Sequence, residues 1–352
     1  MFFFTVKPLE PFIIPKVKSE VIIHNSSVNN DPTELRWPRT VSLILYSLAF
    51  VLGVLGNGVV IWVTGIKMKK TVNSVWFLSL AVADFVFTAF LPLSLTEAAM
   101  NFHWPFGNFM CKMHVTIFIL NMSASIYMLM VISVDRCVSV VKPVWAQNHR
   151  NVCKAFCVSL CVWALSLILS SPYFVFSGTD SSDNDSIHCN INFNRSDKNH
   201  RQNMTITYVF LDFVIPFTVI VSCYAVIIHR LRRNRTLANK SSRSFKIIAA
   251  IIIVFFLCFA PMQIMNLFYL VNQTADYTRE TLNYFYSISL SLVCLNSCIN
   301  PLLYVFMSPD FKDVVRKSIL KVLENAFQEE EPRSYTNPEV TVQTNKSSDT
   351  EV

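Results

Sequence analysis

Asn121 and Ser125 stand four residues apart, and so do Asn296 and Asn300. In a helix that spacing places each pair on one face. Asp84, in Leu80-Ala-Val-Ala-Asp84, is the carboxylate they would face. Removed from water, a lone carboxylate needs a proton or a cation. Four neutral oxygen donors around it suit a small hard cation, sodium above all. A neutral hydrogen-bond network between helices is the other reading of the same residues. Asn57 is a further polar residue in an apolar setting. The chain offers no nucleophile with a base, no metal-ligand cluster and no phosphate-binding loop, so the sequence predicts a protein that is not an enzyme.

A second set of residues could move charge rather than hold it. Asp135-Arg136-Cys137 closes an apolar run. Arg136 can pair with Asp135 at rest and be released when a partner binds, or it can merely snorkel at an interface. Pro216, Pro261 and Pro301 each interrupt an apolar run. A proline there removes a backbone hydrogen bond and sets a kink or hinge. Pro261 follows the aromatic pair Phe255 and Phe259.

The elements that must carry these residues follow from composition. The chain has 352 residues, of which 53% are hydrophobic and 15% charged. Soluble domains carry about 25% charged residues. Seven apolar runs, over residues 41–65, 74–98, 109–141, 152–176, 204–231, 245–271 and 282–306, are long enough to cross a bilayer. Backbone polar groups in lipid must be satisfied within their own segment, so each run is expected to be a helix. The fold class is an all-α membrane protein, a seven-helix bundle.

Basic residues orient it. Lys67, Lys69 and Lys70 follow the first run; Arg230, Arg232, Arg233, Arg235, Lys240, Arg243 and Lys246 lie between the fifth and sixth; Lys312, Arg316, Lys317 and Lys321 follow the seventh. The positive-inside rule makes that side cytoplasmic and the N-terminus extracellular. Five basic residues in the N-terminal segment, Arg36 and Arg39 among them, run against the bias. Met1 to Phe4 is too short for a signal-peptide core, so the first run is expected to serve as the insertion signal. The net charge of +7 suits anionic inner-leaflet lipid rather than nucleic acid.

On this topology Cys111 and Cys189 are the two of ten cysteines on the oxidising side, which predicts a disulfide between them. Asn25, Asn184, Asn194 and Asn272 head glycosylation sequons on the same side. The sequon at Asn203 lies close to the membrane, and those at Asn121 and Asn234 are read as chance matches. The organisation is an extracellular segment over 1–40, a membrane domain over 41–307, an amphipathic surface helix over 308–323 and a disordered cytoplasmic tail over 324–352. Thr341, Thr344 and Ser347, once phosphorylated, would suit arrestin, and Thr350-Glu351-Val352 would suit a PDZ domain.

The landmarks together resemble the rhodopsin-like G-protein-coupled receptors. They are Asn57, Asp84, Asp135-Arg136-Cys137, Trp163, Pro216 with Tyr224, Cys258-Phe259-Ala260-Pro261, and Asn300-Pro301-Leu-Leu-Tyr304. Finer segments resemble the chemoattractant receptors, chemerin-like receptors first and formyl-peptide receptors next. These are Lys67 to Leu78, Asn101 to Gly107, Asp135 to Arg150 and Tyr304 to Lys312. The resemblance implies an extracellular peptide or small-protein ligand such as chemerin, and a heterotrimeric G protein of the inhibitory class. It implies a pivot at Ile126, Pro216 and Phe255, with Arg136, Tyr224 and Tyr304 rearranging to admit the transducer, and a resting state favoured by sodium at Asp84.

Departures from the pattern bear on the ligand. Phe259 stands where most of the wider family has tryptophan, and Ser177 where several chemoattractant receptors have arginine. Met204 and Tyr208 replace helix-five arginines of formyl-peptide receptors. Phe118 argues against an amine ligand, and Cys294 against bound retinal. A receptor that scavenges ligand or favours arrestin is the alternative. A transporter is a weaker one, because no internal repeat appears among only 6 glycines.

Overall fold

The computed structural model describes residues 36–181, 186–191, 198–233, 252–268, 279–307, 311, 313–318 and 320. Helix α1 spans Arg36–Trp62 and runs on through a π turn at Val63–Lys67. Helices α2 (Val72–Ala99), α3 (Gly107–Val141), the short α4 (Pro143–His149) and α5 (Val152–Phe176) follow. An antiparallel hairpin of β1 (Ser177–Ser181) and β2 (Ile187–Ile191) comes next, with Thr179 opposite Cys189. Helix α6 (Lys198–Val209) continues through a second π turn, Phe210–Val214, into α7 (Ile215–Arg233). Helices α8 (Ile252–Phe268) and α9 (Arg279–Met307) complete the bundle.

Five helical stretches are long and apolar enough to cross a membrane, and apolar helices at Ile252–Phe268 and Ile288–Pro301 add two more among the described residues. They coincide with the seven expected runs. The fifth begins earlier than expected, at Lys198, because its first turns are polar. The surface helix expected over 308–323 is helical at 313–318, where Phe311 is buried and Val314 and Val315 pack on the core. The segments 1–35 and 321–352 lie outside the described residues, and so do Asn25, Asn184, Asn194, Asn234, Asn272, Thr341, Thr344, Ser347 and the last three residues.

The outward faces of the bundle are apolar, as lipid requires, and its interior combines a large apolar core with a cluster of buried polar side chains. In α2 and α3, 67% of the apolar window is buried, against 22% in α5. So α2 and α3 stand at the centre and α5 on the perimeter. Helix α3 packs on α2, α5 and α7, and α1 on α2 and α9. The outward faces carry Ile44, Leu48, Leu52 and Leu55 on α1 and Phe156, Leu160, Leu167 and Ile168 on α5. Cys153, Cys157 and Cys161 follow one another along the exposed side of α5.

Small residues allow the central approaches. A Cβ at Gly53 would stand 2.3 Å from the Thr88 methyl, and one at Gly56 would stand 3.0 Å from the Pro301 ring. These two glycines let α1 close on α2 and α9. Ser79 of α2 fastens α5 at two points. It accepts from the Ser159 hydroxyl at 2.7 Å and from the indole Nε1 of Trp163 at 2.8 Å. Trp163, identified in the sequence only as a landmark, is therefore a hydrogen-bonded tie between helices.

The π turn before Pro216 has a local cause. Proline has no N–H to donate to the carbonyl one turn back and its ring crowds that turn. The backbone takes one extra residue, and Ile215 N–H reaches the Phe210 carbonyl instead. Such turns recur at functional positions.

Candidate functional site

The polar core forms where α1, α2, α3 and α9 meet. Asp84 is fully buried, and Asn57, Asn121, Ser125, Asn296, Ser297 and Asn300 are buried with it. Asn300 donates its Nδ2 to Asp84 Oδ2 at 2.7 Å. Ser297 is the hub. Its hydroxyl accepts from Asn121 Nδ2 at 3.1 Å and its backbone carbonyl from Asn57 Nδ2 at 2.9 Å. The side chains of Asn300, Ser297, Asn121 and Ser125 all face the Asp84 carboxyl. Of the residues expected around Asp84, Asn121, Ser125 and Asn300 face its carboxyl, together with Ser297, whereas Asn296 is buried and makes no hydrogen bond to it.

Several oxygens in this core have no partner. They are Asp84 Oδ1, Asn121 Oδ1, Ser125 Oγ and Asn57 Oδ1, and the Asn296 amide nitrogen is also unpaired. Unpaired buried acceptors are costly. Two of them, on Asn121 and Ser125, belong to the donor set expected around Asp84 and a third is the carboxylate's own, so the residues fit a small hard cation.

A large cluster of buried apolar side chains includes Ile126, Leu129 and Ile132, which lie along α3 between Ser125 and Arg136. Ile126, Phe255 and Phe259 are all buried in it. Phe255 and Phe259 stack at 4.1 Å, one helical turn apart on α8. Pro216 is buried at the start of α7, while Pro261 on α8 is half-buried. Phe213 and Phe217 of the fifth span meet Phe256 edge-on, tying α7 to α8.

At the Arg136 end the charges are arranged differently from the expected pairing of neighbours. Asp135 is engaged by Arg150, from Nε to Oδ1 at 2.7 Å and from Nη2 to Oδ2 at 2.8 Å. Arg136 donates its Nη2 to the Asn73 amide oxygen at 2.6 Å, and Arg150 donates to the same oxygen. The reason is positional. Consecutive residues on a helix point about 100° apart, so one carboxylate cannot serve both its neighbour and a cation arriving from α4 with equal geometry. Arg136 Nε and the Tyr224 hydroxyl are buried there without partners. Asn300 and Pro301 are followed on α9 by Tyr304, whose side chain lies outside the described residues.

At the opposite end Cys111 and Cys189 form the expected disulfide, joining α3 to β2 with Cα atoms 5.5 Å apart. The other eight cysteines are free thiols, as expected. Trp104 is fully buried. Its backbone N–H reaches Ile187 at 2.7 Å and its indole reaches the Gly107 carbonyl at 2.9 Å. Ser177 opens β1 and is buried. Arg39, one of the basic residues that ran against the charge bias, has a structural task. Its Nε caps α2 at the Ala98 carbonyl at 3.0 Å, and its guanidinium also reaches Asn101. Asn121 is buried, so its sequon is a chance match, whereas Asn203 is exposed on α6.

Two features escaped the sequence reading. Asp212 lies in the second π turn and is buried, with Ser123 Oγ donating to its Oδ2 at 2.9 Å and its Oδ1 unpaired. The rule that singled out Asp84, a carboxylate inside an apolar run, applies equally to Asp212. The Arg150–Asn73 arrangement joins residues far apart in the chain, and no local spacing announces it.

The model of the seven-transmembrane receptors of the rhodopsin family matches residues 56–304. Human chemerin-like receptor 1 is 41% identical over 315 residues, covering 85% of this chain and 83% of that protein. The C3a anaphylatoxin chemotactic receptor of Oncorhynchus mykiss is 38% identical over 300 residues, covering 82% and 79%. Formyl peptide receptor 2 of Mus musculus is 37% identical over 326 residues, covering 89% and 90%.

Proposed function

The chain belongs to the rhodopsin family of seven-transmembrane receptors, and from that membership we propose that it is a plasma-membrane receptor for an extracellular chemoattractant, a peptide or small protein such as chemerin, signalling through inhibitory-class G proteins. It is a signalling receptor and not an enzyme. The N-terminus and the Cys111–Cys189 end face outward; Arg136 and the C-terminus face the cytosol. The chain's similarity to chemerin-like, C3a anaphylatoxin and formyl peptide receptors supports the ligand class.

The observation that carries the mechanism is that Ile126, Leu129 and Ile132, which lie along α3 between Ser125 and Arg136, share one buried apolar cluster with Phe255 and Phe259 of α8. Agonist and transducer occupy opposite ends and favour the same arrangement of the helices, so each raises the other's affinity. Repacking at Pro216, Ile126 and Phe255, with Pro261 as the hinge of α8, moves the Arg136 end. Arg136 then leaves Asn73, and Arg136, Tyr224, Asn300, Pro301 and Tyr304 accept a G-protein segment. Asp84, Asn121, Ser125, Asn296 and Asn300 would hold sodium, which when bound supplies a positive charge opposite the carboxylate. Phosphorylated Thr341, Thr344 and Ser347 would recruit arrestin, and Thr350 to Val352 a PDZ protein.

Phe259 stacked on Phe255 favours one second reading, a receptor that captures ligand and recruits arrestin while coupling little. A screen of chemoattractant peptides on cells, read as inhibition of cyclic-nucleotide production, separates the two. The proposal expects an agonist whose response is lost with Arg136→Ala. Arrestin recruitment with no G-protein response at any ligand would establish the second reading.

A further inference from the structure

Arg150 is held on both sides before its side chain makes any contact. Its backbone N–H closes the short helix α4 on the Ala146 carbonyl at 2.9 Å. The next residue, Asn151, caps α5 by accepting from the Lys154 N–H at 2.8 Å. The guanidinium is thus delivered to α3 by a rigid link of two helix termini, and its planar fork takes both oxygens of Asp135. Asn73 is equally fixed. It lies in the first turn of α2, whose start is locked by reciprocal hydrogen bonds between Thr71 and Ser74.

The result is an uneven division of partners. Among the described residues Arg150 holds the carboxylate in contact with this cluster, and Arg136 is left with a share of a neutral amide oxygen and an unpaired Nε. A guanidinium bound to a neutral oxygen is released at lower cost than one bound bidentately to a carboxylate.

We propose that Arg150 is a positioning residue for coupling: by occupying Asp135 it denies that carboxylate to Arg136, and so keeps Arg136 on Asn73, ready for the transducer. The inference rests on the proposed coupling role of Arg136. It predicts the opposite of a simple charge deletion. Removing the cation at 150 does not loosen this end of the bundle; it hands Asp135 to Arg136 and tightens the resting state.

Two measurements test it on the full-length receptor. The first is the thermal midpoint of Asp135→Asn, Arg136→Gln and the double variant, each made with Arg150 present and with Arg150→Gln. With Arg150 present, the two single effects are only weakly non-additive, because Asp135 and Arg136 share no bond and are linked only through Arg150 and Asn73. With Arg150→Gln they become non-additive by several degrees, because the pair has formed. Equal additivity in both backgrounds overturns the proposal. The second is basal nucleotide exchange on purified inhibitory-class G protein. Arg150→Gln lowers it several-fold, Arg150→Lys lowers it less, and adding Asp135→Asn to Arg150→Gln restores it. Failure of Asp135→Asn to restore exchange lost in Arg150→Gln overturns the proposal. Should the wild-type chain catalyse no exchange, the coupling reading falls while the thermal comparison still decides the pairing. If Arg150→Gln does not fold, Arg150→Met, which also removes the cation, takes its place in both measurements, with the same outcomes deciding.

Discussion

Ser123 on α3 donates its hydroxyl to Asp212 Oδ2 at 2.9 Å, so a serine in the middle of one span fixes a carboxylate in the π turn of another. The second carboxylate oxygen has no partner, and the described residues place no cation against it. A buried charge without a counter-charge is destabilising. Asp212→Asn keeps the shape and one acceptor oxygen for Ser123, replaces the other oxygen by an amide donor and removes the charge. It is expected to raise the thermal midpoint of the purified receptor by a few degrees, about 1–2 kcal/mol. A fall would mean that the carboxylate has a stabilising partner when folded in the membrane.

Sodium offers a test of the Asp84 core that needs no agonist. A cation that binds only the folded bundle stabilises it by mass action. The thermal midpoint should therefore rise as sodium replaces potassium at constant ionic strength, and Asp84→Asn should remove the rise. A midpoint indifferent to the exchange in the wild-type receptor would leave the core as a neutral network between helices.

Ser79 collects two donors, from Ser159 and Trp163. Ser79→Ala leaves both without an acceptor inside the bundle. The expected loss is about 1–2 kcal/mol, in the range measured for interhelical hydrogen bonds in membranes. Ser159→Ala removes only one donor and should cost less than Ser79→Ala. The order of the two midpoints is the measurement; a reversed order would exclude Ser79 as the shared acceptor.

Close approach of α1 to α2 depends on Gly53, whose added Cβ would meet the Thr88 side chain at 2.3 Å. Gly65 has nothing nearer than 4.0 Å. Gly53→Ala is expected to cost about 1–3 kcal/mol through overpacking, and Gly65→Ala to change little. Midpoints and surface expression of the two variants, measured side by side, give the contrast. Equal effects would mean that α1 shifts freely.

Cys111→Ser and Cys189→Ser should each lower stability by the same amount, and the double variant should lower it no further, because all three lose one bond. A double variant clearly worse than either single one would show that the cysteines act apart.

Much of this arrangement is written locally in the chain. The seven spans declare themselves by length, since no soluble element needs some twenty apolar residues in a row. Asp84, Asn121 and Asn300 announce a shared interior because a polar atom in lipid must find company. The Cys111–Cys189 bond follows from topology alone. What lies beyond local reading is the identity of partners across the bundle. Asp135 and Arg136 are neighbours in sequence, yet the nearer cation in space comes from residue 150, delivered by the fold of α4. Ser79 and Trp163 carry no motif that joins them. Asp212 stands inside an apolar run as Asp84 does, but the π turn that carries it arises from Pro216, four residues on, and no apolar period shows such a turn.

The three exposed cysteines on α5 matter for anyone attaching a reporter to this receptor. Cys153, Cys157 and Cys161 all lie on one lipid-facing side, while Cys258, Cys294 and Cys298 are buried. A maleimide dye or nitroxide intended for an engineered thiol would also decorate that side in detergent. Replacing those three with alanine gives a quieter background, because Cys258, Cys294 and Cys298 are buried and Cys137 and Cys223 are half-buried.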